Sequence, residues 1–71
     1  MKERFDKTIY TVRQICGYSQ DQFARMIGIS RAYLNAIENE KCRISKTIYM
    51  AVIGLIYKEI EAGHDELRVF L

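Results

Sequence analysis

SQDQFARMIGISRAYLNAIEN, residues 19–39, reads as two short helices joined by a glycine turn. Ser19 can cap the first helix on the amide of Gln22, and the Gln22 side chain can reach back to the Ser19 amide. That reciprocal arrangement satisfies backbone donors that a helix start leaves unpaired. Phe23, Met26 and Ile27 supply an apolar face, and small Ala24 lets a neighbouring helix approach closely. Gly28 follows the last periodic residue, where a tight reversal needs a left-handed backbone and a residue without Cβ adopts it freely. Ile29 can fold back over the junction, and Ser30 is placed to cap the second helix.

On that second helix Leu34, Ile37 and Glu38 share one side, while Ala32, Asn35, Ala36 and Asn39 share the other. The outward side carries small residues and amides, with nothing bulky to hold another polymer away. In a DNA major groove an asparagine can bond an adenine edge bidentately, and an alanine methyl can touch a thymine methyl. Arg31 lies on the flank of this face, in the first turn, which a recognition helix directs into the groove. An ordinary helical hairpin with a solvated outer face has the same spacing, so spacing alone leaves both readings open.

The segment SQDQFARMIGISRAYLNAIENEK resembles the helix-turn-helix of phage-repressor-type regulators, the Cro and lambda-repressor (XRE) class. Gln20, Ala24, Gly28, Ser30, Leu34, Ile37, Glu38, Asn39 and Lys41 stand at matching positions, and the similarity runs from about Ile9 to about Ile56. The resemblance implies an all-α, lambda-repressor-like domain of four or five helices whose partner is double-stranded DNA. Onto the matched recognition helix it puts base contacts from Arg31, Ala32, Tyr33, Asn35 and Ala36. It puts phosphate contacts on Ser19, Gln20, Asn39, Lys41 and Arg43. Arg13 matches an arginine that pairs with the glutamate ending the recognition helix, here Glu38, which implies a partly buried structural salt bridge rather than a solvated charge. One departure is Glu40, where the family's turn often has glycine. A carboxylate there either weakens DNA binding slightly or marks a turn of another shape. The proline common in the following loop is also missing.

Working outward, Phe5, Ile9, Val12 and Cys16, with Ile15 beside them, predict a first helix over Glu3–Cys16 that Gly17 ends. After the recognition helix, Lys41, Arg43 and Lys46 cluster in one short loop, suited to phosphate. Ser45 caps a long final helix whose stripe of Ile48, Val52, Leu55 and Ile56 closes the core, with Ile60 extending it. Gly54 alone costs only about 1 kcal/mol in a helix, so one continuous helix to Ala62 is expected. Tyr49, Ile53 and Tyr57 form a separate apolar ridge, which suggests a subunit contact. Residues 1–62 therefore read as the DNA-binding domain and residues 63–71 as a short tail available for a dimer contact. Alternation of Leu67, Val69 and Leu71 with Arg68 and Phe70 is a weak strand signal in that tail.

A chain of 71 residues with 49% apolar composition is one small folded domain, in the size range where a partner subunit helps stability. The net charge of +2 says little, but its distribution says more. Through Lys58 there are ten Lys and Arg against five Asp and Glu; from Glu59 onward four acidic residues oppose Arg68. The basic part coincides with the motif, where a positive field attracts phosphate. Cys16, expected to be buried, and Cys42 have no pairing or metal-ligand spacing and read as free thiols. His64 is the only histidine and no glycine-rich phosphate loop occurs, so neither an enzyme reading nor a cofactor has support. With no signal-peptide pattern and no membrane-spanning apolar run, a cytoplasmic location is expected. The expected function is a sequence-specific transcriptional regulator, a repressor acting as a homodimer on a palindromic operator. The alternative is an antitoxin-like interaction module whose C-terminal helix and tail bind a protein partner.

Overall fold

The computed structural model describes the backbone of residues 2–71 and the side chains of residues 8–71. Four α-helices follow in order: α1 (Lys2–Cys16), α2 (Gln20–Ile27), α3 (Arg31–Glu38) and α4 (Lys46–Glu61). A 3-10 helix, Asp65–Phe70, follows α4. The domain is all-α with a long C-terminal helix, and α4 runs unbroken through Gly54. Among the described residues no helix is long and apolar enough to cross a membrane.

Local chemistry sets the limits of these helices with one start and one stop, used repeatedly. Ser19, Ser30 and Ser45 each accept a hydrogen bond from the third amide of the helix that follows: Gln22, Tyr33 and Ile48. At Ser19 the Gln22 side chain also accepts from the Ser19 amide, completing the capping box. Each α-helix ends with paired bonds that turn the chain back on its last carbonyls; for α2 these are Gly28 N to Arg25 O and Ile29 N to Ala24 O. The residue at the reversal has positive φ in all four helices: Gly17, Gly28, Glu40 and Gly63. Glu40, at φ 61°, is the exception in residue type. The turn after α3 therefore keeps the backbone shape a glycine would give, at a cost of about 1 kcal/mol for a side chain in the left-handed region.

Helices this short are marginal alone and depend on packing. Ile9 and Val12 of α1, Phe23, Ala24 and Ile27 of α2, and Leu34 and Ile37 of α3 meet under α4, which contributes Ile48, Val52, Leu55 and Ile56. Ile29 and Ile60 pack against this cluster as half-buried neighbours. The Phe5 side chain, expected on the α1 stripe, lies outside the described residues. Two expectations need correction. Met26 is 46% exposed, because the buried arc of α2 is centred between Phe23 and Ile27. Cys16 is only half-buried, since it sits in the last turn of α1 beside the chain reversal.

The tail is no strand. Three residues per 3-10 turn put Leu67 and Phe70 on one side, and both pack on the core, Leu67 completely. Val69, at 80% exposed, and Leu71 point outward. Leu67 is thus a core residue of its own subunit and is withdrawn from any dimer contact. Leu67→Ala should lower stability by about 2–5 kcal/mol, the range for a buried large-to-small change. Val69→Ala should stay within about 0.5 kcal/mol. Urea unfolding of the two variants checks the docking: equal effects would mean that the tail is not packed as described.

Candidate nucleic-acid interface

α3 is held against the rest of the molecule by side chains from α1 and α2 that converge on its last turn. Arg13 Nε donates to Glu38 Oε2 at 2.7 Å and Nη2 donates to Oε1 at 2.9 Å, a fork on a carboxylate. A third guanidinium N–H, from Nη1, reaches the Tyr18 carbonyl at 3.1 Å, and the Tyr10 ring stacks 5.5 Å from the guanidinium carbon. Only 10% of the Arg13 side chain and 5% of the Glu38 side chain are exposed. The bond to Glu38 raises the Arg13 pKa above its ordinary value against the opposing pull of burial.

Gln20, the first residue of α2, completes the tie. Its Nε2 donates to Glu38 Oε1 at 3.0 Å and to Asn35 Oδ1 at 3.1 Å. Asn39 Nδ2 donates to the Asn35 carbonyl at 2.8 Å and to Asn35 Oδ1 at 3.3 Å. Three amides therefore lie in a row along the outer edge of α3, their orientations fixed by the Glu38 carboxylate and a backbone carbonyl, groups that can only accept.

Around this row the expected contact residues take different places. Arg31, Ala32 and Asn35 are exposed on the outer face, while Tyr33 and Ala36 are half-buried. The Tyr33 hydroxyl donates to the Arg43 carbonyl at 3.4 Å, so the ring braces the following loop. Ser19, Asn39, Lys41 and Arg43 are exposed, and Gln20 is half-buried. The Ser19 hydroxyl is engaged in capping α2, and the Gln20 amide protons are engaged by Asn35 and Glu38. What Ser19 and Gln20 have left for an anion is the N-terminal end of α2, where the first backbone N–H groups lack helical partners. Lys41 emerges where the reversal closes on Ala36 O at 2.8 Å. None of Arg31, Lys41, Arg43 and Lys46 has an ion-pair partner among the described residues. An outer face of α3 with small side chains, flanked by unpaired cations, is shaped and charged for a polyanion.

A second cluster, not signalled by any motif, gathers at the C-terminal end of α4. The Tyr18 hydroxyl donates to Glu59 Oε2 at 2.6 Å, and His64 lies 3.6 Å from Glu59 and 3.7 Å from Glu66. The bond to Glu59 raises the Tyr18 pKa. Burial, reinforced by Glu59 and Glu66, pushes the Cys16 thiol up to about 11, the opposite direction from an activated nucleophile. Among the described residues no group of three His, Cys, Asp or Glu could hold a metal ion.

A family model described as helix-turn-helix matches residues 9–52, from the middle of α1 into α4. No curated protein and no solved structure gave a match.

Because Arg13 and Glu38 compensate each other away from water, removing one partner should be far worse than the pair's net contribution. Glu38→Ala is expected to cost about 3–5 kcal/mol. The double variant with Arg13→Met should recover part of that loss. A double-mutant cycle followed by denaturant unfolding measures the coupling, and simple additivity would contradict it.

Proposed function

Because the chain belongs to the XRE-type helix-turn-helix family, a family of DNA-binding regulators, we propose that it represses transcription by occupying an operator as a homodimer in the cytoplasm. The observation that carries this reading is the outer face of α3, with Arg31, Ala32 and Asn35 exposed and flanked by exposed Lys41 and Arg43. In the major groove Arg31 reads a guanine from the first turn of α3, and Ala32 and Ala36 offer methyl contacts without a steric barrier. Asn35 is the central polar reader. Tyr33 contributes through the edge of its ring while it braces the loop. Phosphates are held by Lys41 and Arg43 through charge, by Asn39 beside them, and by Ser19 and Gln20 through the end of α2. These contacts set register and orientation on the duplex, whereas the α3 face sets sequence.

The dimer is assigned to the exposed apolar ridge of α4. Tyr49 is 41%, Met50 58% and Tyr57 57% exposed, and half-buried Ile53 lies among them. Val69 and Leu71 add apolar surface at the end of the chain. A two-fold dimer puts two copies of α3 about one helical turn of DNA apart, so the operator is an inverted repeat with half-sites about 10 base pairs centre to centre, or a multiple of that.

Salt titration separates the two kinds of DNA contact. Lys41→Ala and Arg43→Ala should each weaken all duplexes alike and reduce the slope of log affinity against log salt by about one unit. An unchanged slope returns those residues to a solvated turn. For assembly, Tyr57→Glu should shift the sedimentation coefficient from dimer to monomer and loosen binding to an inverted repeat more than to one half-site. A wild-type chain that sediments as a monomer on an inverted repeat would remove the dimer.

A further inference from the structure

We infer that Asn35 faces the groove as a hydrogen-bond donor only, so that the base it reads is guanine and not adenine. The inference rests on the DNA-reading role of α3 and adds to it the chemical polarity of one side chain. Bidentate recognition of adenine needs both halves of an asparagine amide, the oxygen accepting from adenine N6 and the nitrogen donating to N7. In this chain the oxygen is already engaged: Asn35 Oδ1 accepts from Gln20 Nε2 at 3.1 Å and from Asn39 Nδ2 at 3.3 Å. Two donors fill the two lone pairs of an amide oxygen.

The direction of this chain of bonds is fixed at both ends by groups with no proton to give. Gln20 must present its NH2 to Glu38, whose ionised carboxylate only accepts, at 3.0 Å. Asn39 must present its NH2 to the Asn35 main-chain carbonyl, 2.8 Å away. With both neighbours anchored as donors, Asn35 turns its oxygen toward them and leaves its NH2 to the exposed face. An outward NH2 matches the acceptors N7 and O6 that guanine offers in the major groove, whereas adenine sets a donor beside N7 and finds no free acceptor. Gln20 is then a positioning residue: it holds the polarity of Asn35 from a neighbouring helix, and through Glu38 the same amide is tied to Arg13.

The test is selection of binding sites from random duplexes by the wild-type chain and by Asn35→Ala, Asn35→Asp and Gln20→Ala, with thermal unfolding of each variant alongside. Wild type should fix guanine at the position where Asn35→Ala loses its preference. Replacing that guanine by 7-deazaguanine should weaken wild type about tenfold and leave Asn35→Ala unchanged. Asn35→Asp keeps both inward bonds, because its carboxylate accepts from Gln20 and Asn39, but it has no proton to donate outward. It should stay folded and lose the guanine. Gln20→Ala frees one lone pair on Asn35 and should admit adenine beside guanine at that position, a change of specificity that a merely structural role would not produce. Adenine at the Asn35-dependent position in wild type, or an unchanged guanine with Asn35→Asp, overturns the donor assignment alone. A pool in which wild type enriches no sequence overturns the sequence-specific reading on which the assignment rests.

Discussion

The fork between Arg13 and Glu38 is the constraint on which the placement of α3 depends. α3 has eight residues, too few to be stable as an isolated helix, and of its side chains Leu34 and Ile37 are buried in the core while Tyr33 packs half-buried at its edge. Two buried anchors set depth but resist rotation about the helix axis poorly. The carboxylate of Glu38, held in two places by Arg13 and in a third by Gln20, supplies that resistance. A bidentate pair has a directional preference that aliphatic packing lacks, and its burial makes any rearrangement that separates the charges expensive. The outer face of α3 is thereby presented at a set angle before any partner arrives, and less ordering is left to oppose binding.

The same fork links stability to recognition chemistry. Glu38 anchors Gln20, Gln20 meets Asn35, and Asn35 stands on the exposed face, so a charge pair between α1 and α3 reaches the outer surface of α3 through two hydrogen bonds. Glu40 shows the other side of this economy. It occupies a left-handed backbone position at the end of α3 that glycine would fill without strain, and the paired bonds of the reversal still form there. Strain of about 1 kcal/mol is tolerated because the bonds to Ile37 and Ala36 over-determine the turn. Lys41 and Arg43 follow at once, so the shape of that turn decides where the cations emerge.

Much of the fold could be read from the chain because its helices are bounded by local chemistry. Ser19, Ser30 and Ser45 start helices through bonds to residues three positions on, and Gly17, Gly28 and Gly63 stop them; such signals need no knowledge of the tertiary structure. The tail was harder. Leu67, Val69, Phe70 and Leu71 suit a period of two or of three, and only contact with α4 decides that Leu67 and Phe70 turn inward together. Met26 escapes the helical spacing for a related reason: Phe23 and Ile27 define a buried arc too narrow to include it. Spacing on α3 separated an inner from an outer side, but it could not show the polarity of Asn35. That polarity depends on Gln20, fifteen positions away on another helix, and on which atoms of Glu38 are already bonded. The Tyr18 bond to Glu59 spans 41 positions and had no local signature at all.

We propose that the outer face of α3, with the N-terminal end of α2 and the loop after α3, is the surface that meets DNA. The most direct test is titration of the isotopically labelled chain with duplex DNA at low salt, followed by backbone amide chemical shifts. Shift changes confined to Ser19–Asp21, Arg31–Asn39 and Lys41–Arg43, with Tyr57 and Val69 unmoved apart from any dimer effect present without DNA, are the predicted result. Changes centred on the ridge of α4 or on the terminal 3-10 helix, with the α3 amides unmoved, would contradict it.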